Sequence, residues 1–158
     1  MLVGAALADG TAAALSYSSL DLTTWSYDGI AAQRSTRQSD PVWTGALWEC
    51  PQLFELAGRH VMVTSVWDAD VLHYVVYAVG DYRDGVFAAQ TWGRLSYGDS
   101  YYAPTVFRNP DGSPGLLFWL RGIDDPDEGW AGAHSVPHDL RLDGDVLIAS
   151  PASGIEAY

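Results

Sequence analysis

Lysine is absent from the 158-residue sequence, in which all eight basic residues are arginines. A phosphate-binding P-loop and a Schiff-base nucleophile both require lysine, so this sequence excludes both. The single cysteine, Cys50, likewise excludes an intramolecular disulfide and a cysteine-based zinc cluster. No apolar run approaches the roughly 18–20 residues that a membrane helix needs, and the apolar start MLVGAALADG lacks the basic region of a signal peptide.

Positive charge is scarce as well. Twenty acidic residues against eight arginines give a net charge of −12. Nucleic acids and anionic membranes bind basic surfaces, so the sequence argues against both as partners. Neutral ligands such as sugars are compatible with this charge.

Metal-binding patterns are weak. His134 and His138 form the best candidate pair, but Pro137 argues against a helix between them and no obvious third ligand follows. The stretch DDPDE, residues 124–128, lacks the glycine and glutamate spacing of an EF-hand loop, so a solvated acidic loop is the better interpretation. We predict neither a metal nor a cofactor.

Short apolar runs alternate with turn signals along the chain. No run keeps a 3.6-residue apolar period over the length of a helix. The pattern is typical of antiparallel strands joined by tight turns, and it predicts an all-β fold. The turn signals are Asp9-Gly10, residues 68–70, Asp84-Gly85, residues 109–115 and Asp143-Gly144.

Two parts of the chain resemble each other. CPQLFELAGRHVMVTSVW (residues 50–67) aligns with APTVFRNPDGSPGLLFWL (residues 103–120), and Pro51 and Pro104 mark the same point 53 residues apart. A four-stranded propeller blade has a repeat of roughly 40–50 residues. The repeat favours two adjacent propeller blades, with an ordinary antiparallel meander as the alternative.

The repeat predicts where the side chain of Glu49 lies. It lies in the strand-like segment GALWECPQLFEL, where an unpartnered buried carboxylate is costly. Glu49 lies two residues before Pro51, as Tyr102 lies two before Pro104. If these segments are the innermost strands of adjacent blades, both side chains face the central funnel, where propellers bind ligands.

The motif around Glu49 resembles that of a known enzyme family. WECPQLF is similar to the Trp-Glu-Cys-Pro-Asp signature of glycoside hydrolase family 32, the invertases, levanases and inulinases. Three further segments resemble the family in the same order, so that the likeness spans nearly the whole chain. These segments are SYSSLDLTTWSYDGI, GDSYYAPTVF and GWAGAHSVPHDLRLDGDVLIASP.

The resemblance implies a five-bladed β-propeller followed by a β-sandwich, and retaining hydrolysis of β-fructofuranosides by two carboxylates. It assigns the general acid/base to Glu49 and predicts that Trp48 and Tyr102 line the funnel against a sugar ring. Trp130 is a further candidate sugar contact, with a packing role as the alternative. Cys50 is interpreted as a small buried packing residue.

The sequence also departs from the family pattern. Gln52 stands where the family usually has aspartate, Ser100 replaces the aspartate of Asp-Phe-Tyr-Ala, Thr105 replaces a common glutamine, and His138-Asp139 replaces Arg-Glu. These changes affect the finer substrate contacts but leave Glu49 in place.

The motifs that carry the family's nucleophile, Trp-Met-Asn-Asp-Pro-Asn-Gly, and its transition-state stabiliser, Arg-Asp-Pro, are absent. We therefore expect residues 1–158 to be a fragment of a glycosidase propeller, about two to three blades, lacking the N-terminal blades and the C-terminal sandwich. The expected partners are a sucrose or fructan substrate and the rest of the parent chain. The alternatives are a non-catalytic carbohydrate-binding propeller fragment and a related five-bladed glycosidase of other sugar specificity.

Overall fold

The computed structural model describes residues 1–155 as twelve β-strands joined by turns, with no α-helix in that part of the chain. The all-β prediction is confirmed, and each predicted turn separates two paired strands. No helix within the described range could cross a membrane. The strands are β1 (Leu2–Ala6), β2 (Thr11–Ser18), β3 (Ser26–Ser35), β4 (Leu47–Leu56), β5 (Arg59–Asp68), β6 (Val71–Arg83), β7 (Val86–Arg94), β8 (Tyr101–Arg108), β9 (Pro114–Asp125), β10 (Trp130–His134), β11 (His138–Asp143) and β12 (Val146–Pro151).

The strands form three antiparallel sheets, which we call blades 1, 2 and 3 in chain order. Blade 1 has the order β1-β2-β3 and blade 2 the order β4-β5-β6-β7. In blade 3, β9 pairs with β8 on one edge and with β10 and β11 on the other, and β11 pairs with β12. Strands β10 and β11 together therefore occupy the position of the third strand of the blade, which is interrupted at residues 135–137. The prediction of a partial propeller of two to three blades is confirmed.

The first strands of successive blades lie side by side. Strand β1 contacts β4, and β4 contacts β8, whereas at the opposite side β3 contacts β7. The blades thus fan out from a common inner side, as in a propeller. This arrangement brings the strand that carries Glu49 next to the strand that carries Tyr102.

Small residues of blade 1 pack against large residues of blade 2. The alanines of β2 and β3 leave room for the aromatic side chains that blade 2 presents, and Gly4 of β1 lies directly against the backbone of Trp48. The alanine-rich sequence of this region therefore reflects a close approach of two sheets. The buried members of this cluster are Ala12, Ala14, Ala32, Trp48, Met62, Ala78 and Phe87.

Strands β5 and β6 supply residues to both faces of blade 2. Successive side chains of a strand point to opposite faces, so Val61 and Val63 face blade 3 while Met62 faces blade 1. Burial on both faces explains why these two strands are nearly continuous apolar runs. The cluster between blades 2 and 3 consists of Phe54, Val61, Val63, Val75, Tyr77, Val79, Leu116, Phe118, Leu140 and Leu147.

Candidate active site

A β-bulge interrupts the first strand of blade 2 and another interrupts the first strand of blade 3. The register shifts between Glu49 and Gln52 on β4, and between Tyr102 and Thr105 on β8. Within each bulge the residue before the proline has a left-handed backbone, with φ of 51° at Cys50 and 40° at Ala103. A left-handed backbone is uncommon for residues other than glycine, and a bulge redirects the neighbouring side chains. The sequence repeat is thus a repeat of the same backbone distortion.

The two bulges bring Glu49 and Tyr102 together across the boundary between the blades. The Tyr102 hydroxyl lies 2.8 Å from Oε2 of Glu49 and 3.0 Å from the carbonyl oxygen of Val66. Glu49 is half-buried, whereas Tyr102 is only 2% exposed. Burial, and then the hydrogen bond to Glu49, raise the pKa of the Tyr102 phenol well above its usual range. The phenol therefore stays protonated and acts as a hydrogen-bond donor to the carboxylate.

Two buried hydroxyl groups of β5 hold the backbone of the bulges. Thr64 Oγ1 donates to the carbonyl of Glu49 at 3.0 Å, and the N–H of Ala103 donates to Ser65 Oγ at 3.0 Å. Both side chains are fully buried, so they replace ladder hydrogen bonds that the bulges remove. Thr64 and Ser65 are not among the candidate residues that the sequence suggests. Their only signal is that two hydroxyl residues interrupt the apolar run VMVTSVW.

Arg121 supports Tyr102 from the other side. Its guanidinium lies 4.6 Å from the centroid of the Tyr102 ring and donates hydrogen bonds to the carbonyls of Leu72, at 2.7 Å, and His73, at 3.2 Å. A cation over an aromatic face is attracted by the ring quadrupole. Arg121 thereby links β9 to β6 and fixes the ring, a role that no motif in the sequence predicts.

Trp48 does not face the funnel. It is completely buried, its indole N–H donates to the carbonyl of Thr44 at 3.0 Å, and its ring lies 5.4 Å from that of Trp92. Because Trp48 and Glu49 are consecutive in a strand, their side chains point to opposite faces. The expectation that both would line one funnel overlooked this alternation, and Trp48 packs between blades 1 and 2 instead.

The remaining aromatic candidates lie on blade 3. Trp130 is 45% exposed and pairs with Asp125, while Trp119 is 39% exposed and pairs with Tyr102. The two pairing positions on β9, Trp119 and Asp125, are six positions apart, or roughly 20 Å along a strand. Within residues 1–155 no aromatic or hydrogen-bonding contact joins Trp130 to the Glu49–Tyr102 pair.

Cys50 is exposed, contrary to the expectation of a buried packing residue. Desolvation by neighbouring atoms, and then the negative charge of Glu49, raise the pKa of its thiol. A raised pKa lowers the fraction of thiolate at neutral pH, so Cys50 is a poor nucleophile. Among residues 1–155 no group of three or more histidine, cysteine, aspartate or glutamate residues is placed to hold a metal ion.

The chemistry available here is that of one positioned carboxyl group. Oε2 of Glu49 accepts from the Tyr102 hydroxyl, and Oε1 has no hydrogen bond within the described range. A carboxyl group that is oriented by one neutral donor, with its second oxygen free, can give a proton to a ligand atom and take one back. Glu49 is therefore a candidate general acid/base.

Comparisons with known proteins identify the family. The protein-family model described as "Glycosyl hydrolases family 32 N-terminal domain" matches residues 1–151. A sucrose-6-phosphate hydrolase of Vibrio alginolyticus is 32% identical over 96% of this chain and 33% of its own length. A fructan 1-exohydrolase of Triticum aestivum is 28% identical over 99% of this chain and 29% of its own length. The chain spans about a third of the length of these relatives.

Solved structures show the same architecture. The Bombyx mori family 32 β-fructofuranosidase superposes with a TM-score of 0.79 at 25% identity, over 99% of this chain and 35% of that enzyme. The sucrose-6-phosphate hydrolase of Lactobacillus gasseri superposes with a TM-score of 0.73 at 23% identity, over 99% of this chain and 34% of that protein. The second similarity supports the fold alone.

Proposed function

The chain belongs to glycoside hydrolase family 32, and from this membership we propose that the protein containing it hydrolyses β-fructofuranosidic bonds with Glu49 as general acid/base. The observation that carries the proposal is the Glu49 carboxylate held at 2.8 Å by the buried Tyr102 hydroxyl. The proposed substrates are sucrose and fructans of the levan or inulin type. Relatives named as sucrose-6-phosphate hydrolases and fructan 1-exohydrolases support this class.

The proposed reaction follows the retaining mechanism. Glu49 in its acid form donates a proton to the glycosidic oxygen as the bond to the fructosyl anomeric carbon breaks, while a second carboxylate attacks that carbon. The resulting carboxylate of Glu49 then takes a proton from the water that releases fructose. The resemblance assigns the nucleophile to a motif that residues 1–158 do not contain. We therefore expect residues 1–158 alone to hydrolyse fructosides poorly.

The aromatic residues have different parts in this proposal. Tyr102 acts through its hydroxyl, because its ring is covered on one side by Arg121 and is almost fully buried. Trp130, with its half-exposed ring, remains a proposed contact for sugar units beyond the cleaved bond. Trp48 has no substrate contact in the proposal, since it is completely buried.

The first test replaces Glu49 in the complete protein. We expect Glu49→Gln to lower kcat for sucrose by about 10²–10⁴-fold, since general acid/base catalysis contributes that much. Glu55→Gln is the matched control, because Glu55 is an exposed glutamate on the same strand. For a nitrophenyl β-fructoside, whose leaving group needs no protonation, Glu49→Gln should lower the rate of the fructosylation step far less than it does for sucrose.

The outcomes separate the alternatives. Equal activity of Glu49→Gln and Glu55→Gln would contradict the assignment of Glu49. If the complete protein binds fructosides without hydrolysing them, and Glu49→Gln leaves the affinity unchanged, the chain is part of a carbohydrate-binding module. Hydrolysis of arabinans in place of fructosides would retain the two-carboxylate chemistry but overturn the proposed substrate.

A further inference from the structure

We propose that Gln52 is a positioning residue, whose side-chain amide fastens β8 to β4 and so holds the Tyr102 hydroxyl against Glu49. This inference rests on the proposed function, because it concerns the same site. Gln52 is a departure from the family signature, in which aspartate is usual at this position.

The amide of Gln52 makes two hydrogen bonds across the boundary between blades 2 and 3. Its Nε2 donates to the carbonyl of Pro104 at 2.5 Å, and its Oε1 accepts from the N–H of Val106 at 2.8 Å. Strands β4 and β8 belong to different sheets and share no ladder pairing in the described part of the chain. Side chains therefore have to hold these two strands together.

The contacts of Gln52 lie directly beside the bulge that aims Tyr102. The bulge on β8 runs from Tyr102 to Thr105, and Gln52 holds the backbone at Pro104 and Val106. Ser65 holds the same strand at Ala103. With both anchors in place, the backbone that carries Tyr102 has a fixed distance to β4. Loss of the Gln52 anchor leaves the Ser65 anchor at Ala103, and we expect the backbone that carries Tyr102 then to move away from Glu49.

The two contacts require an amide. The carbonyl of Pro104 needs a donor and the N–H of Val106 needs an acceptor, which one glutamine side chain supplies together. An ionised glutamate of the same length has acceptors only and would set a negative oxygen against the Pro104 carbonyl. A protonated glutamic acid has one donor and one acceptor, so it restores both contacts.

The experiment compares Gln52→Leu and Gln52→Glu in the complete protein, each with and without Tyr102→Phe. We expect Gln52→Leu to lower kcat about ten-fold with KM nearly unchanged, as small displacements of a catalytic group do. In the Tyr102→Phe background the same substitution should lower kcat less than about two-fold, because two residues that act through one contact are not additive.

Two further readouts separate positioning from general stability. For Gln52→Glu, the kcat relative to the unsubstituted protein should rise as the pH falls and the new carboxyl group protonates, whereas for Gln52→Leu this ratio should stay flat. Gln90→Leu is the control. Gln90 lies on β7, and its amide also makes two side-chain hydrogen bonds, to Arg59 at 2.6 Å and to Asp81 at 2.8 Å. This substitution should leave kcat unchanged.

A crystal structure of the Gln52→Leu protein tests the proposal without catalysis. We expect the distance from the Tyr102 hydroxyl to Glu49 Oε2 to exceed hydrogen-bonding range. An unchanged 2.8 Å distance would overturn the proposal, as would equal kcat losses with and without Tyr102→Phe. If the unsubstituted protein does not hydrolyse fructosides, the proposed function fails, and the crystal structure still decides the role of Gln52.

Discussion

At the scale of single residues, the site depends on polar groups that satisfy each other's hydrogen-bonding capacity. Tyr102 would be costly to bury with a free hydroxyl, and Glu49 would be costly to half-bury without a donor, but each supplies what the other lacks. Arg121 stabilises the ring without contacting the carboxylate through a hydrogen bond within the described range. The orientation of one carboxyl group thus rests on residues from β4, β8 and β9.

The raised pKa of Tyr102 predicts a pH dependence of stability. The folded protein keeps the phenol proton, whereas in the unfolded chain tyrosine titrates at its ordinary pKa of about 10. Folding is therefore favoured fully below about pH 10 and progressively less above it, by about 1.4 kcal/mol per pH unit from this group.

The measurement compares the free energy of unfolding of the unsubstituted and Tyr102→Phe proteins between about pH 9 and 11. The unsubstituted protein should lose stability more steeply above about pH 10, since the other tyrosines are common to both. Parallel curves would show that Tyr102 titrates alike in the folded and unfolded protein.

At the scale of strands, the spacing of blades 1 and 2 depends on a glycine. A Cβ atom added at Gly4 would lie 1.8 Å from the carbonyl oxygen of Trp48, far inside van der Waals contact. The opposing atom belongs to the backbone, so a side-chain rotation cannot relieve the overlap. Strand β1 would have to move away from β4, the strand that carries Glu49.

We therefore expect Gly4→Ala to lower the free energy of unfolding by about 1–3 kcal/mol, as overpacking of a close contact does. Val3→Ala is the control, because Val3 lies on the same strand and is 38% exposed. It should change stability by less than about 0.5 kcal/mol. Urea unfolding measures the free energy of unfolding for both substitutions. Equal effects would show that β1 can move away from β4 at Gly4 without a loss of stability.

At the scale of the whole molecule, charge acts against the compact state. The chain carries 20 acidic residues and no lysine, and its one ion pair among residues 1–155 joins Arg59 to Asp145 at 2.7 Å. Four acidic residues lie within residues 124–128, at the turn between β9 and β10. Repulsion between like charges on a folded protein destabilises it and is screened by salt.

Raising NaCl from about 0.05 to about 0.5 M should therefore increase the free energy of unfolding, on the order of 1 kcal/mol. The triple substitution Asp124→Asn, Asp127→Asn and Glu128→Gln changes the net charge from −12 to −9 and should reduce this gain. Denaturant titrations at both salt concentrations provide the values. A salt response of the same size in the triple variant would contradict the electrostatic explanation.

Most of the architecture could be predicted from the sequence. Asp-Gly turns between apolar runs fix where strands end, and the repeat of Pro51 and Pro104 identified two equivalent first strands. The motif around Glu49 pointed to the family that the comparisons then identified. These features are local, because turn conformations and strand periodicity depend on residues that are close together in the chain.

Only the tertiary structure decided what surrounds Glu49. Tyr102, Ser65 and Gln52 act across strands that are separated by a turn or by a whole blade, and their contacts depend on bulges that break the two-residue alternation. The sequence shows that Trp48 and Glu49 point in opposite directions, but not which of them faces the core. That choice depends on packing: the alanines of blade 1 leave a space that Trp48 fills, so Glu49 is turned towards Tyr102.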